Sequence, residues 1–252
     1  MPTLETIPVE TFVLIALAFF GGGLSKGIVG IGLPLVSLPF LAVLMPPLQA
    51  IAMLAIPVIS TNIFQVFHGG LFFVVLRRYW TMIVAVAVTA VLASSLIVAV
   101  NNEILLTIIG GVITAVGLMR LVRLPVGIPD RHEGWLNPIM GITSGVIGSV
   151  SNLFGPPVFT YLSMRGTNKD TFIVVIAMVF LVGAVPLHGN LILQGVTTSE
   201  ILILSAFASL PVIAGMAVGT WLRSRFSQAV FERLLIAVIV IAGLNLIRRG
   251  LM

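Results

Sequence analysis

From Thr11 to Met45 the chain runs through apolar and small residues with a single charge, Lys26. A continuous helix of that length would reach about 50 Å, well past a hydrocarbon core of about 30 Å. Gly21–Gly23, Gly27, Gly30, Gly32 and Pro34 interrupt it, and both residue types weaken a helix. The stretch must therefore break or fold back. A second stretch, Trp135 to Ser163, has the same anatomy, with Gly141, Gly145, Gly148, Gly155, Pro156 and Pro157 through its middle. Each is predicted to form a helical hairpin of two short arms, with its tip inside the membrane.

Six further apolar stretches, at 48–76, 79–99, 103–122, 168–193, 201–222 and 231–247, are long enough to cross, a crossing taking roughly 20 helical residues. Only 8% of the 252 residues are charged and 59% are hydrophobic, giving a mean hydropathy of +1.21. A soluble domain carries about 25% charged residues, so this surface faces lipid. The 13 basic and 8 acidic residues sit between apolar runs and form no nucleic-acid patch.

The chain has no cysteine, which removes thiolate metal sites, thiol nucleophiles and disulfides. Its three histidines are scattered, and no Asp or Glu lies deep in an apolar stretch. The expectation is a protein that is not an enzyme, with no metal and no cofactor. Missing intramembrane carboxylates also argue for an anionic substrate over a cationic one. Met1 to Glu10 carries two glutamates and no Lys or Arg, the reverse of a signal peptide's basic start, so no cleavage is expected.

Charge placement gives a topology. With two arms for each broken stretch, one crossing for each of the others and the N-terminus outside, Arg77, Arg78, Arg120, Arg123, Arg131, Arg165, Lys169, Arg223, Arg225 and Arg233 fall inside. Glu5, Glu10, Glu103 and Glu200 fall outside, and only Arg248 and Arg249 break the positive-inside pattern.

Five segments per half is an odd number, so a duplicated half would insert in the opposite sense. Gly27-Ile28-Val29-Gly30 matches Gly145-Val146-Ile147-Gly148 at an offset of 118, and Pro39 matches Pro157 at the same offset. His68-Gly69-Gly70-Leu71 matches His188-Gly189-Asn190-Leu191 at 120. The expected fold is an all-α polytopic membrane protein of two inverted repeats. Each repeat is a broken-helix hairpin followed by three transmembrane helices, with about 8–10 segments in all. The repeats are placed at 1–123 and 135–252, joined by a cytoplasmic linker at 124–134.

Broken helices place half-helix N-termini at mid-membrane, where free N–H groups favour an anion. The tips are expected at Ser25–Gly32 and Ser149–Gly155. Lys26, with Gly27, Gly30 and Gly32 around it, either contacts the anion or snorkels to the cytoplasmic surface. Thr61, Asn62 and Gln65 share one helical face and either bind anionic oxygens or join helices. Ser149, Ser151 and Asn152 either bind an oxyanion or cap a short helix. His68 and His188 are read as ending corresponding helices, where they either couple protons or act as interfacial caps. At the offset of 118, Lys26 faces Ser144, so the positive charge comes from the first half alone.

The run Lys26-Gly27-Ile28-Val29-Gly30-Ile31-Gly32-Leu33-Pro34-Leu35-Val36 and the later Pro57…Thr61-Asn62…Gln65 resemble the first half of TauE/SafE sulfite-exporter-type transporters. The segment Gly141 to Pro157 is similar to the second. One departure is Gly148-Ser149-Val150-Ser151-Asn152, where many relatives carry a denser glycine run; the second tip is expected to bind more by side chains than by backbone. The resemblance implies a secondary transporter, an exporter of a small sulfur-containing oxyanion, organosulfonate or organic anion across a bacterial cytoplasmic (inner) membrane. An anion channel and a non-transporting membrane scaffold are the alternatives. The expected partners are the small anion and membrane lipid, with no nucleic acid; a homo-oligomer is open.

Overall fold

The computed structural model describes residues 8–30, 32–121, 127–223, 225 and 228–252. Residues 1–7, Arg123 and the first part of the linker, 124–126, lie outside them, and so do the expectations that fall there. The described residues form helices joined by short turns.

The first broken stretch gives α1 (Val9–Val29) and α2 (Leu33–Leu44). A bent pair follows, α3 (Pro47–Met53) and α4 (Ala55–Val66), turned by 40° at Leu54. Next come α5 (Phe72–Ala93), the short α6 (Leu96–Ala99) and α7 (Asn102–Leu121). The second broken stretch gives α8 (Glu133–Ser151) and α9 (Gly155–Met164). The chain closes with α10 (Lys169–Leu193), α11 (Ser199–Arg223) and α12 (Gln228–Leu251).

Six of these helices are long and apolar enough to cross a membrane, or seven if α3 and α4 count as one bent span. The other arms, α2, α8 and α9, belong to the broken stretches. The arms are not two short ones of a kind. The outgoing arms α1 and α8 have 21 and 19 residues, against 12 and 10 for the return arms α2 and α9.

Packing explains why the breaks come late. Gly23 and Gly27 stay helical because α11 lies against them, and Gly22 because α2 does: a Cβ on Gly23 would sit 2.2 Å from the Val212 carbonyl oxygen, one on Gly27 2.4 Å from that of Met216, and one on Gly22 2.9 Å from that of Leu33. Small residues let membrane helices approach to backbone contact, where dispersion replaces the hydrophobic drive that lipid cannot supply. The same device joins α8 to α5, where Gly141 faces the Met82 carbonyl and Gly145 faces Thr89 and Val86. It also joins α7 to α12, where Gly110 and Gly243 face each other. α10 runs through the centre and packs on α4, α5, α8 and α9.

The ends of the bundle differ in charge. Arg78 at the start of α5, Glu133 at the start of α8 and Arg165 after α9 meet at one end, where His68 also meets Asp170 of α10. Glu103 starts α7 at the other end, beside Gly250 near the close of α12.

Candidate functional site

The first break is made by glycine. Gly30 caps α1 at φ 89° with its N–H on the Lys26 carbonyl, and Gly32 precedes α2 at φ 119°. Side chains avoid this left-handed region. Lys26 thus lies in the last turn of α1, where a cation complements the negative end of the helix dipole.

Lys26 does not snorkel. It is 4% exposed, and its Nζ donates to Thr61 Oγ1 at 2.9 Å and Asn62 Oδ1 at 2.8 Å on α4. Those side chains are fixed in turn, because the Thr61 hydroxyl donates to the Pro57 carbonyl and Asn62 Nδ2 to that of Val58. Gln65 Nε2 donates to the Gly30 carbonyl at 3.1 Å, closing the end of α1. Among the described residues no carboxylate forms an ion pair with Lys26.

The second break runs through Asn152, whose φ of 57° ends α8. Ser149 and Ser151 donate back to the Gly145 and Ile147 carbonyls of their own helix, so neither hydroxyl proton is free. Ser144, which the sequence offset of 118 pairs with Lys26, donates to the Phe154 carbonyl and ties the break together. The Phe154 ring fills the space beside Gly148 and Gly183. The Asn152 side chain is fully buried, and neither its oxygen nor its nitrogen has a partner among the described residues.

Two sequence matches do not survive as structural equivalents. Gly30 ends its helix, whereas Gly148 lies inside α8; Pro39 is inside α2, whereas Pro157 is in the first turn of α9. The cause is one extra helical turn. Three residues separate the crossing glycine Gly27 from the cap at Gly30, and seven separate Gly145 from Asn152.

The breaks converge. Gly32, Pro34 and Leu35 of the first and Leu153, Gly155 and Pro156 of the second line one small, apolar cavity of about 30 Å³, together with Val116, Phe159, Ile176 and Phe180. Neither α2 nor α9 has a side-chain cap, so the first N–H groups of both remain to be satisfied. Proline lacks an N–H; Pro34 removes one such donor from α2, while Pro156 and Pro157 remove two from α9.

The remaining site candidates lie apart. Gly27 packs on α11. His68 sits in a short 3-10 turn after α4, exposed and 3.4 Å from Asp170. His188 does not end a helix, since α10 continues to Leu193; it is buried, with neither ring nitrogen partnered among the described residues.

Sequence reading missed a network at the arginine-bearing end. Arg78 bonds both Glu133 oxygens at 2.8 and 3.1 Å. Buried Arg165 meets Asp130, Glu133 and the Tyr161 hydroxyl, which donates to Asn137. Burial pushes the Glu133 carboxyl up, but the hydrogen bonds from Arg78 and Arg165 outweigh it and hold it below the usual range. Arg165 is likewise raised, its bonds to Tyr161 and Glu133 outweighing burial. The clustering of charge at predicted inner loops is the signal for it in the sequence.

A helical bundle of this apolar composition, with six or seven helices fit to span, is an integral multi-pass membrane protein. The profile of the sulfite exporter TauE/SafE family matches residues 14–246, and the chain belongs to that family of membrane transporters. No curated protein and no solved structure matches it.

Proposed function

We propose that the chain is a secondary transporter exporting a small sulfur oxyanion or organosulfonate from the cytoplasm, with the anion passing between the two breaks. The observation that carries this reading is the Lys26 ammonium, buried and held by neutral acceptors alone. A lysine within a membrane costs about 3 kcal/mol on insertion scales, and an anion passing between the breaks is its natural counter-charge. The uncapped ends of α2 and α9 supply donors aimed the same way. Thr61, Asn62 and Gln65 act on the anion through Lys26 and Gly30, while Asn152 offers the free donor of the second half.

The reading includes two inverted repeats, 1–123 and 135–252, with 124–134 on the cytoplasmic side of a bacterial inner membrane. Paired helix crossings support it. Gly23 and Gly27 meet Val212 and Met216, while Gly141 and Gly145 meet Met82 and Val86. The glycines are related by an offset of 118 and their partners by one of 130. Inside-negative potential would drive an anion outward without a coupling ion.

Purified protein in liposomes is expected to carry sulfite or methanesulfonate saturably, and Lys26→Ala to abolish most of that flux while keeping helical content and a monodisperse elution profile. Undiminished flux in folded Lys26→Ala would remove Lys26 from the mechanism. Wild-type vesicles impermeable to every sulfur anion offered would remove the transport reading itself.

A further inference from the structure

Six buried side-chain polar atoms have no partner among the described residues, and five of them belong to Asn152, His188 and Thr197. They are not scattered. Phe154, two residues past Asn152, packs on Gly183 of α10. His188 lies five residues further along the same helix, about 7.5 Å at 1.5 Å per residue. Leu191 is one turn beyond, and its carbonyl accepts the Thr197 N–H at 3.0 Å. Two residues later α11 begins, with Glu200 in its first turn. The three side chains therefore step outward from the second break to the end of the bundle opposite the arginine network.

A buried polar group without a partner costs about 1–3 kcal/mol, and an apolar side chain at any of the three positions would avoid it. Three in succession along this stretch of the fold describe a polar track through an apolar half. We propose that Asn152, His188 and Thr197 line a hydrated proton path from the second break to that end, with His188 as the group that binds the proton.

The charged surroundings of His188 favour a transient proton over a fixed one. Of the elements packed on α10, α4 carries no titratable residue. α5 carries Arg77, Arg78 and Tyr79, α8 carries Glu133, α9 carries Tyr161, and His68 stands in the turn after α4. All of these lie at the arginine-bearing end with Lys169 and Asp170, and Asp170 is 18 residues, about 27 Å, from His188. Lys26 also lies toward that end, since Gly30 meets Ile173. Among the described residues no carboxylate is level with His188 to hold an imidazolium there. An anion arriving at the second break would, and the proton would give the second half the positive charge that Lys26 gives the first. This last step rests on the anion reading; the path does not.

The cysteine-free chain allows a test that needs no substrate. Single variants Asn152→Cys, His188→Cys and Thr197→Cys, in membranes sealed right side out, are expected to react with silver ion supplied from outside. Thr114→Cys on α7, whose hydroxyl is also buried and unpartnered but packs on Gly243, is expected to stay protected. Protection of all three path positions overturns the path. In lipid nanodiscs, the ¹⁵N imidazole signal that is absent from His188→Gln is expected to titrate between about pH 5 and 8. A signal that stays fixed and neutral through that range overturns the proton assignment.

Discussion

The two breaks share a backbone plan and differ in how their polar groups are used. At the first, every polar side chain is spent: Lys26 on Thr61 and Asn62, those two on α4 carbonyls, and Gln65 on Gly30. At the second, an aromatic ring fills the centre and an amide is left unpartnered. Two hairpins with the same order of a long and a short arm thus carry different chemistry at their breaks. The first break holds a lysine bound between fixed acceptors, and the second holds donors that act only when something arrives.

The largest effect should come from breaking the second half's filler. Phe154→Ala removes a fully buried ring and should destabilise by about 3–5 kcal/mol, read as a lower midpoint in detergent unfolding. At the equivalent position before α2, Gly32→Ala would meet both the φ of 119° and the Ser25 hydroxyl 2.5 Å from its new Cβ, for a loss of about 1–3 kcal/mol. One break collapses when a side chain is removed, the other when one is added.

A sharper contrast is one of sign. Asn62→Ala strips an acceptor from a buried ammonium and should cost about 2–3 kcal/mol. Asn152→Gly keeps a residue suited to the left-handed cap and removes an unpartnered amide. Relief of that burial is offset by the space the side chain leaves and by the added freedom of glycine, about 0.5–1 kcal/mol, so its midpoint should stay near wild type. Equal losses at both positions would show the two amides to be equally well bonded, against the asymmetry described.

The sequence made some of this legible. Glycine and proline clusters mark both breaks because their backbone properties are local. Where in a glycine run the helix gives way is not local: Gly23 and Gly27 read as breakers but are held in α1 by the approach of α11. Thr61 and Asn62 read as polar neighbours on one face, whereas their role as acceptors for Lys26 depends on α1 docking against α4. The histidine match misleads for a single residue. His68 is followed by Gly69 and Gly70, both at positive φ, and α4 ends just before it. His188 is followed by Gly189 and Asn190, and α10 runs on to bond Asn190 to the Ser94 carbonyl. One glycine separates an exposed histidine from a buried one.

The smallest predicted loss of stability concerns the end of the bundle, where the second hairpin is tied down by charge. Glu133 bridges Arg78 and Arg165 and so joins α5, α8 and the end of α9. No described ion pair ties α2, the first hairpin's return arm; its Ala42 carbonyl accepts from Arg249 at 3.0 Å. Glu133→Gln should cost about 1 kcal/mol, since Arg78 is half exposed and solvent screens part of the attraction. The sign with pH follows from the lowered Glu133 pKa. The unfolded chain binds this proton at about 4.3, so the contribution is complete above that value and is lost as pH falls through the lower folded value. Wild type should therefore lose its advantage over Glu133→Gln only below about pH 4, in melts run across acid pH in low salt. A constant difference between the two proteins down through that range would mean that Glu133 holds the arm by hydrogen bonding alone.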